Sequence, residues 1–383
     1  MNKHLILDVR GLIIRSWSTA EKTIQDGDSQ YASWQDGVAQ FIDREILPAL
    51  QEGWAPRQII ACWDAGNRYR EGLYENYKAK RKLKSKDRSE TSKREMDNLF
   101  KKSRELMAYL GIKQVQVLGE EADDLIALLA QRIESDYIEI RSVDEDLLQL
   151  LAPGVSVKHG HRLYSYEIDR DGCTDKGTSI RHLALYKSIV GDTSDEYGGV
   201  TGLGPKAWDK LQHDLGPQGL DWLEYVVRDN QYGQLRDWVQ NNEHKVVTKL
   251  STSFIDWRIG YQLACLNPEA CFGARPTTKG MAPKRPDWHV RVPNRDRVHS
   301  ILVECNSDFY MEQFEHLFPQ EILLDASMSD QLQAAATDIL ASPIVSWDYE
   351  SSDKKKHACY REAAQDGKSY VDVLSQEIAG VSI

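Results

Sequence analysis

Two aspartates, Asp144 and Asp146, directly follow an apolar segment that is typical of a β-strand. They lie in SVDEDLLQLL at residues 142–151, after YIEI at residues 137–140. In an extended backbone, side chains two residues apart point to the same face. Two carboxylates that point to one place repel each other, so this arrangement indicates a bound cation.

Other carboxylates occupy similar places in the sequence. The apolar runs LIL and IIACW each end in an aspartate, and GEEADDLIALLA puts acidic residues in the first turn of a predicted helix, where the helix dipole favours negative charge. Each residue alone is ordinarily a helix cap or a turn former, but their coincidence favours one shared site. The candidate carboxylates are Asp8, Asp64, Glu121, Asp123, Asp124, Asp144, Asp146, Asp192 and Asp195.

Such a cluster requires counter-charge. Two carboxylates about 4 Å apart repel by roughly 4 kcal/mol at an effective dielectric constant near 20. Ligand sets made only of oxygen suit Mg²⁺ or Mn²⁺. Two such ions activate a water molecule and stabilise the leaving oxygen in phosphodiester hydrolysis. The acidic residues therefore favour a metal-dependent nuclease.

A basic segment indicates what the substrate is. The net charge of the chain is −11, which alone argues against nucleic-acid binding, yet residues 68–104 contain 14 Lys or Arg and only 6 Asp or Glu. Tyr69, Tyr74 and Tyr77 lie in the first part of this segment, as on a surface that stacks bases and holds phosphates. The alternative is an ordinary solvated, charged helix.

The stretch GVTGLGPKAW at residues 199–208 is typical of a phosphate contact at a helix start. Gly202 and Gly204 allow the backbone to approach an anion closely, Pro205 suits a first helical position, and Lys206 adds positive charge. The alternative is an ordinary turn. Because the stretch closely follows Asp195, it predicts a DNA-backbone clamp beside the metal site.

The elements that must position these residues follow an α/β pattern. Strand and helix patterns alternate from the N-terminus to about residue 160, which predicts a mostly parallel central sheet with helices on both faces. The following pattern is helical. We expect four regions: a nuclease domain (1–180) with a basic helical arch at about 68–104, a helical DNA-binding region (181–266), a connector with a helical segment (267–340), and short strands (341–383).

These residues resemble those of the 5′ nuclease family, which includes flap endonucleases, bacteriophage 5′-to-3′ exonucleases and the N-terminal domain of bacterial DNA polymerase I. The resemblance covers roughly residues 3–265. Its most specific parts are EEADD, SVDEDLLQLL and IVGDTSDEYGGVTGLGPKA, in that order. One departure is DVRG at residues 8–11, where the family usually has glycine directly after the first aspartate.

The resemblance implies a role for each candidate residue. The nine carboxylates would bind two Mg²⁺ ions, which Mn²⁺ could replace, and GVTGLGPKA would form a helix-three-turn-helix clamp that often holds K⁺. Tyr77 would stack on a base, while Lys78 and Arg81 would contact the scissile phosphate. The expected DNA contacts are Arg15, Arg68, Arg70, Lys80, Lys82, Gly202, Gly204 and Lys206.

The expected activity is that of a 5′-to-3′ exonuclease or structure-specific endonuclease acting on DNA with a 5′ end, flap or nick. An RNA–DNA hybrid is a further substrate, and a DNA polymerase is a candidate partner. The alternatives are a catalytically silent binder of branched DNA and a related single-domain ribonuclease. Scattered cysteines and the lack of an apolar run of roughly 20 residues predict a cytoplasmic protein without membrane association. We also expect a monomer.

The C-terminal segment raises a separate expectation. SPIVSWDYESSD at residues 342–353 places Asp348 and Glu350 on a predicted strand. This D-x-E pattern resembles the start of the 3′-to-5′ proofreading exonuclease domain that follows the 5′ nuclease in DNA polymerase I. The alternative is an ordinary strand with a polar edge.

Overall fold

The computed structural model describes residues 2–24, 33–174, 177–266, 286–289 and 293–318, together with residues 268 and 291. The segment 341–383, with the D-x-E pattern, lies outside the described residues. None of the described helices is both long and apolar enough to cross a bilayer.

A seven-stranded sheet in the order β6-β5-β4-β1-β2-β3-β9 forms the centre of the molecule. Strands β1 to β5 run parallel, whereas the edge strands β6 and β9 are antiparallel to their neighbours. A separate hairpin contains β7 and β8. The strands are β1 (Lys3–Asp8), β2 (Ile59–Trp63), β3 (Lys113–Val117), β4 (Tyr137–Ser142), β5 (Val155–His159), β6 (Arg162–Ser165), β7 (Gly191–Asp192), β8 (Tyr197–Gly198) and β9 (Pro286–His289).

Helices cover both faces of the sheet and continue beyond it. A π-helical turn, Ile42–Ile46, joins the second helix to the third, and a 3₁₀ helix, Glu145–Leu150, follows β4. The α-helices are α1 (Val9–Ile24), α2 (Trp34–Phe41), α3 (Leu47–Gln51), α4 (Arg68–Leu73), α5 (Ala79–Lys86), α6 (Glu90–Tyr109), α7 (Ala122–Arg132), α8 (Tyr166–Asp169), α9 (Leu183–Val190), α10 (Pro205–Arg228), α11 (Tyr232–Asn241), α12 (Lys245–Thr252), α13 (Phe254–Ala264), α14 (Arg295–Glu304) and α15 (Met311–Phe314).

Alternation along β1 explains why the sheet has two apolar faces. Leu5 and Leu7 are buried in a first core with α1, α2, α6 and α14, while Ile6 is buried in a second core with α7. A third core joins helices α9 to α13. The predicted α/β class with a mostly parallel sheet and helices on both faces is confirmed.

The region after residue 266 differs from the expectation of a connector. Residues 286–289 form β9, which pairs with β3 at the edge of the sheet. Val298, Ile301 and Leu302 of α14 are at most 3% exposed and lie in the first core. The sequence 267–297 has little hydrophobic periodicity. Because β9 pairs with β3 through backbone hydrogen bonds, its side chains did not need the alternation by which a strand is recognised from sequence.

Candidate active site

The carboxyl ends of three neighbouring parallel strands bring the first acidic residues together. Asp8 ends β1, Asp64 directly follows β2, and Asp144 follows β4. Ser142 Oγ donates a hydrogen bond of 2.6 Å to Asp8, and the amide of Ala122 donates one of 2.9 Å to Asp64. The parallel sheet thus places these carboxylates at one edge, as the sequence predicted.

The charges of these side chains act on one another. Burial raises the pKa of Asp8 to about 7, and the charges of Asp64 and Asp144 contribute to the increase. Asp123, in the first turn of α7, has a pKa well above its usual value because of burial and the charges of Asp144, Asp8 and Asp64. We call Asp8, Asp64, Asp123 and Asp144 the first carboxylate group. Its mutual repulsion is what a bound cation would relieve.

A second carboxylate group contains Asp146, Asp192 and Asp195. One oxygen from each lies within 4.8 Å of the others, close enough for the three to bind one metal ion. The β7–β8 hairpin positions two of them, because Asp192 lies in β7 and Asp195 in the turn. The backbone amide and hydroxyl of Ser194 both donate to Asp192, over 2.7 and 2.6 Å.

Lys187 of α9 neutralises part of the second group. Its ammonium contacts Asp146 and lies 2.6 Å from Asp192. Burial and the charge of Asp144 raise the pKa of Asp146 to about 7 against the opposing effect of Lys187. For Asp192, burial is outweighed by Lys187 and Ser194, and the pKa falls to about 2. The sequence interpretation missed Lys187, although it is the only lysine in the apolar helix LALYKSIV.

Lys78 joins Glu121, at the start of α7, to Asp195 of the second group, and the charge of Asp123 in the first group also acts on it. Its Nζ atom is 2.6 Å from Glu121 and 3.3 Å from Asp195. Burial would lower the pKa of Lys78, but the charges of Glu121 and Asp195 outweigh it and raise the pKa. The residue also has a left-handed backbone, with φ of 53°. The predicted scissile-phosphate lysine is therefore held as a permanent cation at the centre of the acidic cluster.

Two candidates, Tyr77 and Arg70, are buried in positions that differ from their expected roles. Tyr77 is 1% exposed and donates a hydrogen bond of 2.7 Å to Asp195, so no ring face is available to a base. Arg70 is 3% exposed and binds Glu121 and Asp124, so it does not reach the surface as a DNA contact would. For Arg70 the physical reason is charge compensation, because the two buried carboxylates of Glu121 and Asp124 at the start of α7 require a buried cation.

Asp124 accordingly differs from the other carboxylates. It is 1% exposed, and both of its oxygens contact the Arg70 guanidinium. Arg70 also donates to the carbonyl of Leu263, over 3.0 Å. The Asp124–Arg70 pair therefore joins α7 to α4 and α13 instead of facing the first carboxylate group.

The remaining predicted DNA contacts lie on or near the surface. Arg81 is 60% exposed on its side chain and 3.9 Å from Asp195. Gly202 has φ of 85°, which favours glycine, and Gly204 is the N-cap of α10. Arg15 contacts the buried Glu45, in a cavity of about 250 Å³. Only the backbone of Lys82 is described. The exposed candidates are Arg68, Lys80 and Lys206.

The chemistry of this donor set fits hard divalent cations. Both groups offer only carboxylate oxygens, which Mg²⁺ and Mn²⁺ prefer. Lys78 and Lys187 supply the positive charge in the arrangement described here. The three carboxylates of the second group are close enough to hold a metal ion, and the Lys78 ammonium beside Asp195 is able to stabilise negative charge on a phosphate.

Comparison with known proteins finds 5′-3′ exonucleases and DNA polymerase I among the relatives of this chain. The family described as "5′-3′ exonuclease, N-terminal resolvase-like domain" matches residues 3–177. A 5′-3′ exonuclease of Bacillus subtilis is 31% identical over 280 residues, covering 71% of this chain and 88% of the relative. A thermostable DNA polymerase I of Thermus aquaticus is 30% identical over 74% of this chain, which spans only 30% of that polymerase.

Solved structures share the fold. A 5′-exonuclease of T5 with bound zinc superimposes with a TM-score of 0.50 and 18% identity, covering 82% of this chain and 99% of the other. A flap endonuclease of bacteriophage T5, in a complex with DNA and metal ions, gives a TM-score of 0.50 and 17% identity, covering 82% and 98%. At these identities the likeness concerns the fold alone.

Proposed function

This chain belongs to the 5′-3′ exonuclease family, and we propose that it hydrolyses phosphodiester bonds near 5′ ends or flaps of DNA with two divalent metal ions. The observation that carries the proposal is the pair of carboxylate groups, one at the carboxyl edge of the sheet and one at the β7–β8 hairpin, with Lys78 bound to Glu121 and Asp195. The family relationship supports the reaction.

We assign one ion to each group. The first ion would be held by Asp8, Asp64, Asp123 and Asp144, and the second by Asp146, Asp192 and Asp195, with Glu121 released from Lys78 as a shared ligand. Mg²⁺ is the proposed ion, and Mn²⁺ would replace it. When bound, the ions supply an activated water molecule and stabilise the leaving oxygen. Asp124 is assigned to positioning α7 through Arg70.

The cationic side chains act on the substrate. Lys78 would donate from its ammonium to the scissile phosphate once metal ions bind its carboxylate partners, and the exposed Arg81 beside it would bind the same phosphate. Tyr77 orients Asp195 through its hydroxyl group. None of these groups transfers a proton in this scheme, because an ammonium with a raised pKa remains charged.

The exposed basic residues and the clamp would hold the DNA. Arg68, Lys80, Lys82 and Arg15 are proposed phosphate contacts around the arch and the sheet edge. Gly202, Gly204 and Lys206 would bind the duplex backbone at the start of α10, with K⁺ as a further ligand of this turn. In this division, residues 1–180 carry the first carboxylate group and Lys78, while 181–266 contribute Asp192, Asp195 and the duplex-binding helices.

The proposed substrates are DNA ends, flaps and nicks, with RNA–DNA hybrids as a further class. We propose that the protein acts as a monomer in the cytoplasm and works with a DNA polymerase that leaves such ends. A silent DNA binder is disfavoured, because both carboxylate groups are complete. A single-domain ribonuclease is disfavoured by the basic segment 68–104 and by helices α9 to α13.

A cleavage assay on a 5′-flapped duplex tests this function. We expect cleavage with Mg²⁺ or Mn²⁺ and none with EDTA, and flap, nick, blunt and RNA-primed ends should be compared side by side. Asp144→Ala and Asp146→Ala should each abolish cleavage while DNA binding in Ca²⁺ survives, because the carboxylates hold ions and the basic residues hold DNA. Asp256→Ala, which removes an exposed carboxylate of α13, is the matched control. Full activity of either site variant would contradict the assignment.

A further inference from the structure

A cavity of about 200 Å³ lies beside Asp64, on the face of the sheet that α1 and α6 cover. It opens next to the first carboxylate group but uses other residues of the chain. Its lining consists of Arg10, Trp63, Asp64, Phe100, Lys101 and Arg104.

The cavity carries an excess of positive charge. Arg10, Lys101 and Arg104 line it together with a single carboxylate, that of Asp64. The Arg10 Nε atom lies 3.7 Å from Asp64, and the Arg10 side chain is still 48% exposed. Three cations beside one carboxylate favour an anionic ligand.

Two aromatic rings fix the orientation of the guanidinium groups. Arg10 lies 5.0 Å above the ring centre of Phe100, and Arg104 lies 4.3 Å above that of Trp63. Trp63 is itself fixed, because its indole N–H donates to Gln114 over 3.0 Å. A guanidinium stacked on a ring keeps its N–H groups in the plane parallel to that ring, where they match the oxygens of a phosphate.

The same stacking argues against a nucleobase as the ligand. The arginines already cover one face of each ring, and only 5% of Trp63 is exposed. Ligand pockets for larger molecules commonly measure roughly 300 to 1,000 Å³. The cavity thus suits a single phosphate group of a strand that continues into solvent.

The position of the cavity relative to the helical region indicates on which side of the scissile bond the bound phosphate lies. Tyr77, next to Lys78, packs in the third core with helices α9 to α13, whereas Trp63 packs in the first core under α1 and α6. Asp64 of the first carboxylate group lines the cavity, and Asp195 of the second group accepts a hydrogen bond from Tyr77. A strand whose duplex part is held by the helical region would cross the carboxylates and then reach the cavity. A 5′ nuclease keeps the duplex on the 3′ side of the cut.

We propose that the cavity binds the phosphate of the first linkage on the 5′ side of the scissile bond, in the part of the strand that is released. This inference rests on the proposed 5′ nuclease function and deepens it. Arg10 and Lys101 provide the binding charge, and Phe100 and Trp63 hold the guanidinium groups in position. The residue two positions after the first metal-binding aspartate thereby helps to place the strand across the metal ions.

Neutral linkages in the substrate test the proposal. A series of 5′-flapped duplexes would each carry one methylphosphonate, which removes the phosphate charge, at the first or second linkage on either side of the scissile bond. Affinity is measured in Ca²⁺ and kcat/KM in Mg²⁺. The proteins are the full chain, Arg10→Gln, Lys101→Gln and the control Arg57→Gln. Arg57 is exposed and precedes β2, at the opposite edge of the sheet.

For the unaltered protein and Arg57→Gln, the methylphosphonate at the first 5′ linkage should weaken binding about tenfold, as expected for the loss of a charge-assisted hydrogen bond. Arg10→Gln and Lys101→Gln should bind the unmodified flap about tenfold more weakly and show little further loss with that linkage. Lys101→Gln is needed because Arg10 also contacts Asp64. Full sensitivity to the first 5′ linkage in both variants would overturn the proposal. Failure of the unaltered protein to cleave any flap would instead refute the proposed function, and the Ca²⁺ affinities would still test the cavity.

Discussion

At the scale of single residues, the carboxylates of the site repel one another in the metal-free protein, and bound metal ions would relieve this repulsion. Asp123 has a raised pKa because it is buried close to Asp144, Asp8 and Asp64. Lys78 and Lys187 compensate only part of this charge. The residues best suited to bind metal are therefore also those that destabilise the metal-free protein.

Asp123→Asn should accordingly stabilise the protein without metal. Removing one charge from the first carboxylate group relieves about 1 kcal/mol of repulsion, which corresponds to a Tm increase of roughly 2 to 4 °C in a domain of this size. The same substitution should reduce the Tm increase that Mn²⁺ produces, because a ligand is lost. Calorimetry with EDTA and with Mn²⁺ measures both effects. A lower Tm in EDTA would mean that the Asp123 carboxylate is stabilising there.

Lys78→Ala tests the cation between the two groups. The loss of one preorganised donor to developing phosphate charge typically costs about 3 to 4 kcal/mol, so turnover should slow at least about a hundredfold. Lys80→Ala removes an exposed lysine two residues away and should mainly raise KM and reduce the salt dependence of binding. Single-turnover kinetics separate the two effects. Equal, small losses in both variants would show that Lys78 has no special role.

At the scale of elements, the β7–β8 hairpin is the least replaceable part of the site. Gly199 lies so close to α9 that an added Cβ atom would be 2.2 Å from the carbonyl oxygen of Ile189. This approach sets the hairpin that carries Asp192 and Asp195 against the helix that carries Lys187. The second carboxylate group therefore depends on one glycine outside it.

Gly199→Ala should lower the Tm and abolish Mg²⁺-dependent cleavage, because backbone must move to admit the methyl group. Gly198→Ala is the matched control, since an added Cβ atom there meets nothing within 4 Å. Thermal unfolding and flap cleavage of both variants give the comparison. If the two variants behaved alike, the close approach at Gly199 would not determine the position of the hairpin.

The stability of the protein should depend on pH through the contact between His182, at the start of α9, and Asp221 of α10. His182 is 2% exposed and hydrogen-bonded to Asp221 over 2.9 Å; burial lowers its pKa despite this carboxylate. The unfolded chain then binds a proton more readily than the folded chain below about pH 6.5, so the free energy of unfolding falls as the pH decreases. Urea unfolding at pH 7.5 and 5.5 should show a smaller pH effect in His182→Gln. An unchanged effect would exclude His182 as its source.

At the scale of the whole molecule, the C-terminal part of the described chain belongs to the nuclease core. Phe314 and Val298 are fully buried against residues of α1, α2 and α6. Arg295 also pairs with Glu315 over 2.7 Å, within this segment. The segment 293–318 therefore completes the first core instead of forming a separate unit.

Truncation should distinguish this segment from the residues that follow it. A chain that ends at residue 340 should keep its Mg²⁺-dependent 5′ cleavage, whereas one that ends at residue 292 should lose several kcal/mol of stability, because large apolar side chains are removed from a packed core. Circular dichroism melts and flap cleavage test both. Loss of activity in the chain that ends at residue 340 would show that residues 341–383 support the nuclease.

The sequence by itself determined the α/β class and indicated that Asp8, Asp64 and Asp144 meet at one place, because apolar runs that end in aspartate specify both a parallel sheet and the edge where its ligands meet. Only the tertiary structure showed which groups the charged residues contact. Arg70 and Tyr77 are buried against Glu121 and Asp195. Lys187 contacts Asp192, and Arg10 lies over the ring of Phe100. These contacts join residues that are far apart in sequence. The free energy of burying a charge depends on such neighbours, and a local sequence pattern does not identify them.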